Sequence, residues 1–192
     1  MERVKRLMGP IIRTSFLIMI IGGVLYPAAI TVIAQVIIPD RANGSLIYNG
    51  ENEVIGSELI GQNFTSAKFF HGRVSSIKYD ASGSGSNNYG PSNQEMIERL
   101  KESAAAWEKD NPNTPLNKVP LDLVTNSGSG LDPHISPDAA YAQVSRVSEM
   151  TGINQQNLIE LISKNTQGKE LGIFGEERVN VLKLNLDLVE LL

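Results

Sequence analysis

The sequence predicts a single N-terminal transmembrane helix followed by one α/β (α+β) domain, and two observations carry this prediction. The 23 residues from Phe16 to Ile38 contain no charged side chain. As a helix they would extend roughly 34 Å, which exceeds the typical hydrocarbon thickness of about 30 Å. The remaining chain is polar and alternates segments of helical periodicity with loops rich in glycine and serine.

The apolar run is interpreted as a retained anchor, because it is too long for a signal peptide and no A-x-A cleavage site follows it. Its orientation is predicted from the flanking charges. Only Arg41 lies close behind the run, whereas four basic residues precede it: Arg3, Lys5, Arg6 and Arg13. The positive-inside rule therefore predicts a cytoplasmic N-terminus over 1–12, a transmembrane helix over 13–38 and an extracytoplasmic domain over 39–192 of a cell-membrane protein.

The anchor carries residues that are typical of helix packing within a membrane. Gly22 and Gly23 form a small notch, and Pro27 lies near the middle of the span. Small residues allow a second helix to approach closely, and a proline frees a carbonyl that neighbouring groups must satisfy. These three residues are therefore predicted to contact a partner helix.

The part outside the anchor is acidic. Residues 41–192 hold 13 Lys and Arg and 19 Asp and Glu, so the net charge is 13 − 19 = −6. This charge argues against nucleic acid as a partner. The chain has no cysteine and only two histidines, His71 and His134, which are far apart in sequence. No metal site is therefore predicted, and the redox compartment stays open.

Helix signals divide the acidic part into elements. Ser92 and Glu95 form a capping-box pattern for a helix that stops before Asn111. Ser136 and Pro137 begin a second helix, which Gly152 ends, and Asn154 caps a third. The C-terminal segment VNVLKLNLDLVELL alternates apolar and polar residues, so it is predicted to be mainly strand-like, with a helical end as the alternative. The number of strands stays open.

Two short loops have the same sequence, Ser-Gly-Ser-Gly, at Ser82–Gly85 and Ser127–Gly130. Each is followed soon after by a proline and a helix cap. They are predicted to be ordered loops that line one surface. The second loop resembles an active site because it places Ser129, Asp132 and His134 close together. Its serines do not lie in a G-x-S-x-G motif, and no phosphate-binding G-x-x-x-x-G-K-[ST] run exists. Glycine turns and a helix cap explain the loop, and the excess polar residues predict contact with another molecule.

Four ordered motifs then resemble one family, the C subunit of the Kdp potassium-transporting ATPase. They are GSELIGQNFTSAKFFHGRVSS, SGSGSNNYGPSN, LVTNSGSGLDPHISPDAAYAQVSRV and GEERVNVLKLNLDL, and the resemblance extends from about Pro10 to Leu188. The family's usual Arg-Pro-Ser reads Arg73-Val74-Ser75 here.

The resemblance implies a single-span, non-catalytic subunit without a directly bound cofactor, in a complex that handles ATP and potassium. The implied partners are a channel-like potassium-translocating subunit, a P-type ATPase subunit and a small membrane peptide. The family is described as an assembly factor and a catalytic chaperone that raises the affinity of the ATPase subunit for ATP. Gly22, Gly23, Pro27, Ser129, Asp132 and His134 are the predicted subunit contacts.

Two other functions remain open from the residues alone. An anchored extracytoplasmic hydrolase would need a nucleophile activated by a base, and an anchored ligand-binding module would need a cleft of its own.

Overall fold

The computed structural model describes residues 2–192, with side chains from residue 7 onward. The side chains of Arg3, Lys5 and Arg6, on which the orientation prediction partly depends, lie outside the described part. The chain divides into two compact units, of which the first ends at Leu46 and the second is Ile47–Leu192.

The first unit is a long helix with one irregular turn. Helix α1 (Glu2–Ile20) continues through a π-helical turn (Ile21–Leu25) into α2 (Tyr26–Ile37), and a short α3 (Pro39–Ala42) follows. The segment Leu7–Ile37 is long and apolar enough to cross a membrane, and its most apolar part is not buried within the protein. A helix that is apolar on all sides and unburied is typical of a membrane span.

The π turn has a local cause. The amide of Tyr26 donates to the carbonyl of Ile21, five residues back, directly before Pro27. Proline has no amide hydrogen to continue the regular ladder, and π turns accommodate such interruptions. Beyond it, the Thr31 hydroxyl donates to the Pro27 carbonyl at 2.8 Å.

The second unit is a mixed helix and sheet domain. Its strands pair as a two-stranded sheet in the order β1-β2 and a three-stranded antiparallel sheet in the order β3-β5-β4. The strands are β1 (Leu46–Tyr48), β2 (Val54–Ser57), β3 (His134–Ile135), β4 (Thr166–Gln167) and β5 (Arg178–Asn180). The helices are α4 (Gln94–Asp110), α5 (Pro137–Ala142), α6 (Val144–Thr151), α7 (Gln155–Asn165) and α8 (Val181–Val189), with short 3₁₀ turns at Leu116–Lys118 and Leu121–Leu123.

The core lies between the helices α5 to α8 and strand β5. Phe70, Val147, Leu158, Ile162 and Leu184 are fully buried there. Large buried apolar side chains contribute about 1.5–3 kcal/mol each relative to exposure, so this cluster holds the C-terminal half together.

Most of the helix boundaries predicted from the sequence are confirmed. The Ser136 hydroxyl accepts from the Ala139 amide at 3.1 Å and begins α5. Gly152 ends α6 in the left-handed conformation with φ of 78°, and Asn154 caps α7. Helix α4 stops before Asn111 as expected.

Two details of these helices differ from the prediction. The cap of α4 is Asn93, whose side chain accepts from the Met96 amide at 3.1 Å, and not Ser92 one residue earlier. The predicted second helix is interrupted at Gln143. At the interruption, the Ala142 carbonyl accepts a hydrogen bond from the Thr114 hydroxyl at 3.1 Å.

The prediction for the C-terminal segment was mainly wrong. Only Arg178–Asn180 is a strand, and Val181–Val189 is a helix. Asn180 caps this helix by accepting from the Lys183 amide at 3.1 Å. Val181, Leu184 and Leu188 are buried at helical spacing, so tertiary packing overrides the apparent alternation.

Candidate functional site

The loop from Asn126 to Ser136 is the candidate functional site, and its own serines and glycines order it. The buried Ser127 hydroxyl accepts from the Gly130 amide at 3.1 Å and bonds the Ser129 hydroxyl at 3.2 Å. The Ser129 hydroxyl also accepts from the Leu131 amide at 3.1 Å. Gly130 has a φ of +72°, which a side chain would strain. The loop is therefore a turn, as its glycines predicted, and both serine hydroxyls stabilise it, which was not predicted from the sequence.

The two Ser-Gly loops lie against each other. The Gly85 amide donates to the Ser129 carbonyl at 2.8 Å, and the Ser84 hydroxyl donates to the same carbonyl at 3.2 Å. The prediction that both loops are ordered on one surface is confirmed by these contacts.

The candidate loop also forms hydrogen bonds with the segment 61–75. The Gly61 amide donates to the Leu131 carbonyl at 2.7 Å, and the Ser127 amide donates to the Val74 carbonyl at 2.9 Å. The Ser75 hydroxyl donates to the Gly130 carbonyl at 2.7 Å. The link at Val74 uses a carbonyl, which a proline also has. The departure from the Arg-Pro-Ser pattern at this position therefore leaves the link intact.

Asp132 connects this loop to Arg73. Its Oδ2 lies 3.1 Å from Arg73 Nη1, and its Oδ1 accepts from the His134 amide at 3.0 Å and lies 3.4 Å from His134 Nδ1. Burial raises the pKa of Asp132, but hydrogen bonds from His134 and Arg73 outweigh it and hold the pKa below its usual value. Asp132 is thus ionised at neutral pH and fixes the backbone that leads into β3.

The predicted contact residues of the second unit share one surface. Ser129, Asp132 and His134 line a shallow cleft of about 450 Å³. Asp132 and His134 also line a second cleft of about 270 Å³, whose far wall is the segment Glu176–Arg178. About a third of the Asp132 side chain and a quarter of the His134 side chain remain exposed (31% and 26%), so both stay accessible to another molecule.

A larger cleft of about 520 Å³ lies beside the Arg73 segment. It combines aromatic walls from Phe64 and Trp107 with polar groups such as His71, Lys78 and Asp110. Burial, with the nearby Arg146 charge, lowers the pKa of His71. The His71 ring is therefore mostly neutral at pH 7.

The contact made by each histidine ring is not with a serine hydroxyl. His71 Nε2 lies 3.1 Å from the Ser66 carbonyl, and His134 Nδ1 lies 3.4 Å from Asp132 Oδ1. A carboxylate on Nδ1 also orients the base of a catalytic triad, so it is Ser129 that argues against a serine nucleophile, because its hydroxyl bonds an amide and a hydroxyl of its own turn. Among the described residues, no group of three or more His, Cys, Asp or Glu side chains is placed to hold a metal ion.

Sequence reasoning missed a buried polar network that positions the Arg73 segment. Arg146 is 3% exposed, and its guanidinium donates to the Phe69 carbonyl at 2.9 Å and to Gln143 Oε1 at 2.7 Å. Asn185 bonds both the amide and the carbonyl of Phe70 at 2.9 Å. Burial lowers the pKa of Arg146 to about 10.

The signal for this network was present in the sequence. Gln143 and Arg146 lie three residues apart beside the apolar positions Val144 and Val147. Long polar side chains on a buried face must find partners, so these two residues indicated a long-range contact.

The three contact residues predicted in the first unit lie together in the long helix. Gly22 and Gly23 fall within the π turn, and Pro27 is the second residue of α2. A Cβ atom added at either glycine would meet nothing within 4 Å, apart from the helix's own nearby backbone. The notch is therefore open to another molecule.

Comparison with known proteins gives a match along nearly the whole chain. The family model KdpC, described as K+-transporting ATPase, c chain, matches residues 8–190. The chain is 56% identical over 192 residues to the Potassium-transporting ATPase KdpC subunit of Bacillus cereus (strain Q1), covering 100% of both chains. It is 55% identical, with the same coverage, to the subunits of that name from Bacillus thuringiensis subsp. konkukian (strain 97-27) and Bacillus anthracis (strain A0248).

Proposed function

The chain belongs to the KdpC family of K+-transporting ATPase c chains, and we propose that it is a non-catalytic accessory subunit of an ATP-driven potassium uptake complex. The observation that carries the proposal is the match of 56% identity over the full length of a Potassium-transporting ATPase KdpC subunit. The match covers the anchor, the loops and the C-terminal segment alike, so it supports the same role for the whole chain.

The proposed partners follow from the family resemblance. They are a channel-like potassium-translocating subunit, a P-type ATPase subunit and a small membrane peptide. In this role the chain stabilises the assembly and raises the affinity of the ATPase subunit for ATP, while ATP and potassium are bound by the other subunits.

We propose a membrane location with the second unit outside the cell. The segment Leu7–Ile37 supports the span, and the excess of basic residues before it supports the orientation. A domain outside the membrane does not meet cytosolic ATP. Any effect on ATP affinity is therefore transmitted through the partner subunits.

The absence of catalysis in this chain is supported by the geometry of the candidate loop. The Ser129 hydroxyl accepts from the Leu131 amide and bonds the Ser127 hydroxyl, so its partners among the described residues belong to the turn and include no base. Ser129→Ala should therefore leave potassium-stimulated ATPase activity of the complex nearly intact. Changing Asp132 and His134 together should weaken assembly or the apparent potassium affinity without altering the chemistry. If Ser129→Ala abolishes turnover in an assembled, folded complex, the hydrolase alternative replaces this proposal.

The function is tested by co-expressing the chain with the remaining subunits of a potassium-transporting ATPase. We expect the chain to co-purify in detergent, and its deletion to reduce potassium-stimulated ATP hydrolysis. The concentration of ATP that gives half-maximal rate should rise in the deleted complex. Normal assembly and an unchanged ATP dependence without the chain would contradict the proposal.

The orientation is tested with a single introduced cysteine, because the chain has none of its own. Asn88 is exposed in a loop of the second unit. Asn88→Cys should react with an impermeant thiol reagent added to intact cells. Labelling only after lysis would reverse the proposed topology.

A further inference from the structure

The hairpin that joins β4 to β5 carries three large apolar side chains in solvent. Leu171 is 89% exposed, Ile173 is 77% exposed and Phe174 is 63% exposed. They lie within four consecutive residues at its tip. A cluster of this kind on a folded domain is typical of an interaction site and costs solubility if it stays uncovered.

The backbone of this tip is held in one conformation. Glu170 and Phe174 exchange two hydrogen bonds of 2.8 and 2.9 Å, and the Gly172 amide donates to the Lys169 carbonyl at 3.0 Å. Leu171 has a φ of +54°, a region that branched side chains seldom occupy. A tip that is already ordered loses little conformational entropy when it binds, so it is suited to act as an anchor.

Charged residues surround the apolar tip. Lys169 lies 3.2 Å from Glu176, and Arg178 lies 3.4 Å from Glu170. Glu177 adds a further negative charge, so the two basic and three acidic residues give 2 − 3 = −1. The side chains of Glu176 and Glu170 are 87% and 74% exposed, which leaves their carboxylates accessible to a second partner.

The base of the hairpin is continuous with the candidate loop. Glu176, Glu177 and Arg178 form one wall of the cleft of about 270 Å³ whose other wall includes Asp132 and His134. The hairpin and the candidate loop therefore present a single surface, with an apolar projection at one end and polar groups beside it.

We propose that the hairpin tip inserts into an apolar pocket with a basic rim on another subunit of the ATPase complex. This inference rests on the proposed function, because an accessory subunit must contact another subunit of the complex. The exposed glutamates pair with the basic rim, while Ile173 and Phe174 fill the pocket. An anchor of this kind, apolar at its centre and polar at its edge, has the composition of a binding hot spot.

Charge favours a protein pocket over a lipid surface. Residues 41–192 carry a net charge of −6, and the collar around the tip is itself acidic. Lipid-binding loops usually combine apolar residues with Lys and Arg, because membrane surfaces are commonly anionic. A basic pocket rim instead attracts this hairpin.

The test uses the complete complex with the double variant Ile173→Asp and Phe174→Asp. The matched control is Met150→Asp, which places a charge at an apolar residue that is 50% exposed elsewhere in the same unit. Thermal unfolding of each full-length chain in detergent verifies that the fold is retained. Retention of the chain on the tagged complex during detergent washing is then measured. The lipid alternative is measured with Ile173→Cys in the full-length chain reconstituted alone in anionic vesicles, as protection of the thiol from a water-soluble reagent.

We expect the double variant to fold and to bind the complex about tenfold more weakly or worse, with the control unchanged. Ile173→Cys that carries a thiol-attached photo-crosslinker should also crosslink to a partner peptide that contains apolar and basic residues. Full retention of the double variant overturns this inference and leaves the proposed function standing. Failure of the unaltered chain to co-purify overturns both. Protection of the Ile173→Cys thiol in anionic vesicles without the other subunits assigns the tip to lipid and overturns the pocket.

Discussion

Gly61 provides a direct test of how the candidate loop is held. A Cβ atom built on Gly61 would lie 2.7 Å from the Asp132 carbonyl oxygen and 2.8 Å from the Tyr79 ring. Ordinary contacts begin near 3.4 Å, so Gly61→Ala must move the backbone of Asp132 by about 0.7 Å. The backbone contact is the more rigid of the two, since a carbonyl cannot rotate away as a side chain does.

The expected cost of Gly61→Ala is about 1–3 kcal/mol, the range for overpacking in a tight interior. Weakening the hydrogen bond from Gly61 to Leu131 adds roughly 1 kcal/mol at most. For a domain of about this size, such a loss lowers the melting temperature by roughly 3–12 °C.

The matched control is Gly128→Ala in the neighbouring loop, where an added Cβ would meet nothing within 4 Å. Its expected effect lies within about 0.5 kcal/mol of zero. Thermal unfolding of full-length chains, followed by circular dichroism in detergent, measures both changes. A Gly61→Ala chain as stable as the unaltered chain, or an equal loss in Gly128→Ala, would refute the tight approach of segment 61 to Asp132.

Three further predictions concern the cap, His71 and the membrane notch. Ser136→Ala should lower the free energy of unfolding by about 1 kcal/mol through the lost cap, and Ser136→Thr should retain most of it; equal losses would contradict capping. Burial lowers the pKa of His71 below 6.5, so the folded state disfavours the protonated ring. The stability that the neutral ring contributes to the folded state is fully present above pH 6.5 and is lost as the pH falls through the lower folded pKa. His71→Gln should therefore reduce acid destabilisation between about pH 7 and pH 5 relative to the unaltered chain, and an unchanged slope for His71→Gln would refute it. A Cβ added at Gly23 or at Gly9 meets nothing within 4 Å, apart from the helix's own nearby backbone. Gly23→Leu should loosen the detergent-solubilised complex more than Gly9→Leu because it fills the predicted notch, and equal retention would remove the case for a partner helix there.

Features that depend on near neighbours in the chain were predictable. The apolar span, the Ser136 and Asn154 caps and the turn at Gly152 each arise from a few consecutive residues. A cap joins a side chain to an amide two or three residues away, so its geometry needs no distant partner. The family was recognisable for the same reason, because its motifs are continuous in sequence.

The candidate site was predictable in part. Gly130 forms the local turn that its type indicated, and the Ser127 and Ser129 hydroxyls, which were not predicted to take part, stabilise it. The partner of Asp132 was not predictable, because Arg73 lies 59 residues earlier in the chain. The exposed hairpin tip was missed as well, since Leu171, Ile173 and Phe174 have the composition of a core segment and only their exposure reveals them.

The sequence by itself determined where the chain is apolar throughout, where its helices begin and end, and which loops turn on glycine. Tertiary structure alone decided the state of Val181–Val189, whose apolar pattern suited a strand but whose buried face packs as a helix. It also decided how Arg146 and Asn185 place the segment that carries Arg73 beside Asp132. Local hydrogen bonds are set by neighbouring residues, whereas burial and long-range pairing depend on surfaces that exist only after the chain has folded.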